Sequence, residues 1–386
     1  MALNKEQLAE LLFEVHDSNS LVTGGAMSGA YCPAQCKFCY LHGEGPHYTS
    51  KLPYVGLDDV QYAIPFIRIN RDDNPYVMLG DSALRLSAEL FAHPDAIDII
   101  KLVRNGIPLW MPIGTFTSGN LVTREHFDHI LKIDNFHLIV TIGSMHKSYR
   151  EQMFPKRFAD PSWIAFMWKE YPSISATLYT AGGLEQIKRD IGLLTHLREK
   201  QHDELILHGG RFTVRAIEAT AYHSPYVKRL SEQCWKDYER VMEYVLETVP
   251  DVYLDPCSPE MGYRVGYKRT IDECESYKEK IKDFVRDNPG PIFFPASERA
   301  YSFWKKYIDE EHMNNVTVLC AKNSTLGAHC AGLLTFKDLE QNLTGYDTRG
   351  TTILIPTIMI NRTLLDIMGV SMYTFARNMK ARVEPL

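Results

Sequence analysis

Three cysteines, Cys32, Cys36 and Cys39, stand in the stretch AMSGAYCPAQCKFCYLH with three and then two residues between them. A thiolate is a strong nucleophile and a soft metal ligand, and cubane iron–sulfur clusters are held by cysteine thiolates, normally four of them. Three in one tight loop leave one iron of such a cluster without a protein ligand. That open corner is the first hypothesis the sequence raises. A zinc site is the second, because zinc takes Cys and His in a tetrahedral set and His42 and His47 lie just downstream. The third is that the cysteines are unrelated and buried.

The other five cysteines are dispersed. Cys234 and Cys274 fall on apolar helical stripes and read as small core residues. Cys320 ends an apolar strand, and Cys330 sits in the apolar run AHCAGLL. Cys257 differs: it lies in the Pro-flanked loop Asp255-Pro-Cys-Ser-Pro, just after a short strand. None of the five shows the close pairing of a second cluster, so one cluster is expected.

The elements that must position these residues follow from periodicity. The chain has 386 residues, 45% hydrophobic and 23% charged, which fits a soluble globular protein with a full core. A net charge of −6 argues against a broad nucleic-acid-binding surface. No apolar run approaches the roughly 20 residues of a membrane helix, and the N-terminus lacks a signal-peptide pattern. A cytoplasmic location is expected, where cysteines serve as ligands, core residues or reactive thiols rather than as disulfides.

Residues 4–16 read as a helix and 25–31 as a first strand feeding the cysteine loop. Helices follow at 57–69, at 83–105 with a break near Pro94, at 122–132, at 161–171 and at 184–197. Strands alternate with them at 76–79, 108–115, 137–143, 174–180 and 205–218. Six strands alternating with helices predict parallel βα units, in a barrel or an open sheet. In both, chemistry sits at the C-terminal ends of the strands, where the cysteine loop would lie. Beyond 222 come a long helix at 226–249, a short strand at 252–254 and a helix from the Thr270/Glu273 capping box to about 286. Asn288-Pro-Gly-Pro reads as a linker. The expected domains are 1–22 (helix), 23–222 (barrel), 223–290 (helical connection) and 291–386 (a small α/β module).

The Cys-x3-Cys-x2-Cys spacing, with Phe38 just before the last cysteine, resembles the signature loop of the radical S-adenosylmethionine (radical SAM) enzymes. That family's fold is a partial (βα)6 TIM-like barrel with this loop after its first strand, so the fold class expected here is such a barrel with a C-terminal α/β extension. The resemblance implies a 4Fe–4S cluster on Cys32, Cys36 and Cys39, with S-adenosyl-L-methionine chelating the fourth iron. It further implies a flavodoxin- or ferredoxin-type electron donor, reductive cleavage to a 5′-deoxyadenosyl radical, and hydrogen abstraction from a small-molecule or peptide substrate.

Residue by residue, Phe38 would lie near the adenine. Gly80, Asp81 and Ser82 stand where the family has Gly-Gly-Glu against the methionyl amine; the second glycine is missing and Asp replaces Glu. Thr117-Ser118-Gly119-Asn120 resembles the family's turn near the ribose, and Thr141 and Ser144 resemble polar positions on and after the fourth strand. Glu218, ending the sixth strand, is a further candidate. His146 and Arg150 would bind a carboxylate or phosphate of the substrate, and Cys257 would give a hydrogen atom to a substrate radical. Residues 292–386 are similar to a domain of unknown function that ends a subset of radical SAM proteins, through Asn323-Ser-Thr-Leu-Gly-Ala-His-Cys-Ala-Gly-Leu-Leu-Thr, Asp338-Leu, Ile353-Leu-Ile-Pro and Leu364-Leu-Asp. One alternative within the family is a cobalamin-dependent methyltransferase, although no clear Asp-x-His-x-x-Gly motif is present. Outside it stand an iron–sulfur electron carrier or sensor and a zinc-binding structural protein.

Overall fold

Strands that return in parallel need a crossover of a dozen or more residues, and the spacing of apolar runs in the first half of the chain leaves room for a helix in each. A computed structural model of the protein describes residues 3–21, 36–37, 55–69, 76–80, 89–155, 159–171, 173–179, 182–198, 212–215, 253–255, 268–298, 300–325, 334–360, 363–366 and 368–386, with 240, 241, 244 and 247. The chain forms two compact units. The first holds the described residues up to Val214 and Tyr253, and the second holds Arg215, the positions at 240–247, and Leu254 onward.

Strands β1 (Ser20–Leu21), β2 (Val77–Leu79), β3 (Ile113–Thr117), β4 (Phe136–Gly143), β5 (Ile174–Tyr179), β6 (Phe212–Arg215) and β7 (Tyr253–Asp255) form one sheet in the order of the sequence. From β1 to β5 the pairing is parallel throughout. Each crossover therefore steps in the same direction, and right-handed crossovers then place their helices on one face. Strand β4 shows the consequence. Phe136, Leu138, Val140 and Ile142 are buried, while His137, Ile139 and Thr141 on its other face are partly exposed. The buried face meets helical side chains: Tyr171, just past the helix Pro161–Glu170, donates its hydroxyl to Phe136 O. Val140, Ile164 and Met167 crowd around one point of the β3 turn.

Local chemistry sets the helix ends. The helix Lys5–Ser18 starts at a capping box in which Asn4 Oδ1 accepts from Gln7 N at 2.9 Å, and stops at Asn19 in the left-handed region. The expected helix 57–69 is an α-helix only over Leu57–Ala63 and ends in a 3₁₀ turn, Ile64–Phe66, because Pro65 has no N–H to continue the ladder. Of the expected 83–105 helix, the described part is a 3₁₀ turn Leu90–Ala92 and a helix Ala96–Gly106, separated at Pro94. The third strand starts at Ile113 rather than 108. The buried guanidinium of Arg104 donates to the carbonyls of Ile107 (3.3 Å), Pro108 and Met111 (2.9 Å), which holds Pro108–Met111 as a turn. Of the strand expected at 205–218 the described part is β6, Phe212–Arg215, and β7 makes a seventh strand of a segment expected beyond the barrel. The strand expected at 25–31 lies outside the described residues. So does most of the helix expected at 226–249, of which Arg240, Val241, Tyr244 and Glu247 are helical.

The second unit is wound differently. Its strands β8 (Ile292–Ser297), β9 (Val316–Ala321), β10 (Thr352–Ile355) and β11 (Arg382–Pro385) are all parallel, in the order β11-β10-β8-β9. The chain starts at a central strand, goes one way to β9, crosses back, and goes the other way to β11. Two apolar cores result. One joins the helices Lys268–Asp287 and Tyr301–Glu310 to β8 through Tyr277, Ile281, Phe294 and the fully buried Trp304. The other joins the helices Phe336–Asn342 and Met372–Met379 to Leu319, Ile353 and Ile355, with Phe336 stacked on Phe375 at 4.8 Å. Asn288-Pro-Gly-Pro, expected to be a linker, is a turn inside this unit: Asn315 Nδ2 donates to Asn288 O and Gly290 O, both at 3.0 Å. Among the described residues no helix is long and apolar enough to cross a membrane.

Candidate active site

Three successive strands end on a glycine with positive φ: Gly80 after β2 (75°), Gly119 after β3 (73°) and Gly143 closing β4 (71°). At Gly119 the requirement is strict. A β-carbon there would stand 2.8 Å from Ile164 Cδ1, in a backbone region that side chains avoid. The turn it permits is held from within, since Gly119 N donates to Thr117 Oγ1 at 3.0 Å and Asn120 N to Ser118 Oγ at 3.3 Å.

Behind this turn lies Glu89, a buried carboxylate. Its Oε2 accepts from Ser118 N at 2.9 Å and from Ser118 Oγ at 3.2 Å. Burial pushes the carboxyl above its usual range, against hydrogen bonds from Thr117, Ser118 and the Phe91 backbone that favour the anion. Its Oε1 is buried without a hydrogen-bond partner. Asn120 shows the converse. Its Oδ1 accepts from Arg150 Nη2 and Ala159 N, both at 2.8 Å, which fixes the orientation of the amide. Its Nδ2 is then buried with no acceptor. One turn thus presents an unused buried acceptor and an unused buried donor. Native proteins seldom leave such groups unmatched, and a bound polar molecule satisfies both.

Arg150, on the helix Lys147–Met153 that follows β4, is fully buried. Besides Asn120 it donates from Nε to Ala159 O at 3.2 Å and from Nη1 to Ile142 O, and its guanidinium lies over the Phe154 ring at 4.9 Å. Burial pushes its pKa down to about 10, opposed by the charges of Cys36, Asp190 and Asp160. The cysteine loop reaches the same helix: Lys37 N donates to Met153 O at 2.9 Å. Cys36 carries a partly exposed thiol.

Asp190, on the helix Gly183–Arg198, braces the segment after β4. Its Oδ1 accepts from Met145 N at 3.0 Å and its Oδ2 from Gln186 Nε2 at 2.6 Å, and Ser144 also donates to it. Burial raises its pKa, with these three bonds and the charge of His146 opposing. Ser144 Oγ in turn accepts from His146 N at 3.0 Å.

Of the residues expected from sequence, Ser118, Gly119, Asn120 and Arg150 belong to one connected network, and Cys36 lies within its electrostatic reach. Ser144 belongs to the Asp190 bracket. Gly80 ends β2 and donates its N–H to Leu21 O at 2.9 Å, and Thr141 is on the partly exposed face of β4. His146 is exposed, with Nδ1 2.9 Å from Ser148 Oγ. Arg150 was expected to meet a substrate; its guanidinium is instead fully enclosed. Cys32, Phe38, Cys39, Asp81, Ser82, Glu218 and Cys257 lie outside the described residues. Sequence reasoning missed Glu89 and Asp190. The available signal was an acid set in apolar surroundings, Glu89 before Leu-Phe-Ala and Asp190 beside Ile187, Ile191 and Leu194. Among the described residues no three metal-ligating side chains converge.

No protein-family model matches the chain, and no curated protein matches it. Among solved structures it is similar to Streptococcus suis SuiB. With SuiB bound to the precursor peptide SuiA, the identity is 14% and the TM-score 0.43, over 66% of this chain and 53% of that one. With SuiB bound to S-adenosylmethionine, the identity is 14% and the TM-score 0.44, over 67% and 56%. The chain thus spans about half the length of those structures. A likeness this distant carries no inference about fold or function.

Proposed function

We propose that the chain is a radical SAM enzyme acting on a small-molecule or peptide substrate. The observation that carries the reading is the Cys-x3-Cys-x2-Cys loop in a chain whose sheet is wound in sequence order, with Lys37 of that loop bonded to the helix that follows β4. Cys36 fits the part of an iron ligand, being a partly exposed thiol whose charge reaches the Arg150 guanidinium. Glu89 Oε1 and Asn120 Nδ2 fit the other group, since S-adenosylmethionine carries an ammonium and hydroxyls to donate and oxygens to accept.

In this reading Cys32, Cys36 and Cys39 hold a 4Fe–4S cluster. Phe38, Gly80, Asp81, Ser82, Ser118, Gly119, Asn120, Thr141, Ser144 and Glu218 surround S-adenosyl-L-methionine, joined by Glu89. The bound pair supplies, on one-electron reduction by a flavodoxin- or ferredoxin-type donor, a 5′-deoxyadenosyl radical that abstracts hydrogen from the substrate. The protein's own task is to orient and to exclude water. The sheet of the first unit closes as a partial barrel around the partly exposed face of β4, Ser144 and Asp190 fix the strand-end segment, His146 meets the substrate, and Cys257 returns a hydrogen atom.

The test is anaerobic purification and reconstitution with iron and sulfide. Brown protein whose broad visible absorption bleaches with dithionite, and which releases 5′-deoxyadenosine when given S-adenosylmethionine, supports the proposal. Colourless protein carrying zinc, or a loaded cluster that never cleaves S-adenosylmethionine, overturns it.

A further inference from the structure

In the C-terminal unit the strand order β11-β10-β8-β9 reverses about β8. The helix Tyr301–Glu310, which follows β8, packs on one face of the sheet with Ile292, Phe294 and Ala296. The helix Met372–Met379, which follows β10, packs on the other face with Ile353 and Ile355. The chain therefore leaves the neighbouring strands β8 and β10 in opposite directions. In open α/β sheets that parting opens a crevice outside the strand ends, where ligands bind. We propose that this crevice binds the phosphoryl group of a small ligand, with Ser297 Oγ and the first-turn amides of the helix Tyr301–Glu310 as its donors. The inference does not depend on the cluster reading above.

Two observations meet at this strand end. Ser297 is the last residue of β8 and 1% exposed, and its Oγ is buried with no hydrogen-bond partner among the described residues. A buried hydroxyl ordinarily has one. Ser297 pairs with Ala321 at the end of β9, and the Phe293–Ile353 register carried forward sets it level with the residues that follow Ile355. Three residues on, the helix starts at Ala300, and no side chain caps it. The N–H groups of a first turn find no acceptor within their own helix, and the aligned peptide dipoles favour an anion beside them. Other polar groups at this edge are already matched. Asp338 Oδ1 accepts from Ser324 N and Thr325 N, both at 3.0 Å, and Asp366 Oδ2 from Phe336 N at 2.7 Å. Ser371 Oγ accepts from Tyr373 N at 3.2 Å, and Thr357 Oγ1 donates to Leu386 O at 2.7 Å. Of the described charged residues just past these strands, Glu298 and Lys322 are opposite in sign. The helix end and the hydroxyl thus decide in favour of an anion with oxygens to accept.

Titration calorimetry on the full-length chain, in chloride buffer of constant ionic strength, tests this with inorganic phosphate and adenosine 5′-monophosphate as probes. Saturable binding of either supports the proposal. Tighter binding of the nucleotide identifies a nucleotide-type ligand, and tighter binding of phosphate a free oxyanion. Ser297→Ala should weaken the bound probe about tenfold, the loss of one hydrogen bond to a charged group. Ser302→Glu sets a carboxylate at the exposed second position of the helix. It favours the helix itself but competes with the probe, so binding should weaken several-fold. Without ligand, Ser297→Ala should melt no lower than the wild type, because the hydroxyl removed has no partner. Absence of saturable binding by both probes overturns the proposal, and so does binding that both variants retain at wild-type strength. A Ser297→Ala chain that melts well below the wild type overturns it too, since the hydroxyl would then serve an internal partner such as a fixed water.

Discussion

Truncation of Glu89 tests the strand-end turn with no cofactor present. In Glu89→Ala the Ser118 N–H and Ser118 Oγ–H, now bonded at 2.9 and 3.2 Å, lose their acceptor in a buried setting. Each stranded donor costs about 1–3 kcal/mol, while removal of a desolvated carboxylate returns part of the loss. The expected net destabilisation is about 2–4 kcal/mol. Glu89→Gln keeps an amide oxygen for Ser118 and sets its NH₂ where Oε1 has no partner, so about 1 kcal/mol or less is expected. The two substitutions also separate on pH. Burial raises the folded-state pKa of Glu89 above its ordinary 4.5, so the native chain holds this proton to higher pH than the unfolded chain. Its contribution is therefore most favourable below 4.5 and is lost as pH rises through the folded pKa. Urea unfolding over a pH series should rank Glu89→Ala below Glu89→Gln and move the gap between wild type and Glu89→Gln in the variant's favour as pH rises. A Glu89→Ala variant within about 0.5 kcal/mol of wild type, or a gap that moves the other way, would refute the account of this turn.

Gly119→Ala should destabilise the first unit by about 2–4 kcal/mol, from the left-handed backbone and the overlap with Ile164, and should weaken S-adenosylmethionine binding measured by calorimetry. Opposite faces of β4 should respond differently: Val140→Asp, on the buried face, should cost about 4 kcal/mol or more, and Ile139→Asp, on the partly exposed face, far less by thermal melting. Equal costs would mean that both faces are covered. In the second unit, Asp366→Ala strips the acceptor from the amides of Phe336 (2.7 Å), Met368 (2.9 Å) and Val370 (2.8 Å) and should cost about 3 kcal/mol or more in urea unfolding. Arg349→Ala should leave the melting temperature unchanged. Its partner Asp347 is held at a pKa of about 2, yet both side chains stand in solvent, where such pairs add little.

What the sequence made legible was local. Strand β4 announces itself in HLIVTIG, and the helix Pro161–Glu170 matches the one expected at 161–171, with Asp160 Oδ1 accepting from Ser162 N at its start. Ser118-Gly119-Asn120 was legible as a turn through its resemblance to the turn that the radical SAM enzymes carry after the third strand. The start of β3 was not, because it depends on Arg104 gathering carbonyls from a turn that alternation alone reads as strand. Glu89 gains its meaning from Ser118, 29 residues on, and Arg150 from Asn120, 30 residues back. A charge at the start of a helix normally faces water; only the loops that converge on Arg150 turn it inward, and no local pattern encodes that convergence.

The two sheets use the same βα vocabulary with different consequences for where chemistry can occur. In the second unit the chain reverses direction about its first strand, so helices cover both faces of β8 and the sheet interior is a solid core; whatever it binds must sit outside the strand ends. In the first unit the strands run in order, and right-handed crossovers send the helices to one side, so the opposite face cannot be covered by the crossovers themselves. Thr141 and Ile139 lie on that face, and Asn120 belongs to the turn that follows β3. A reaction that must exclude water needs a chamber that its own scaffold does not fill. Strand order therefore leaves one face of the first unit's sheet clear of its own crossovers and gives the second unit's sheet a core on both faces.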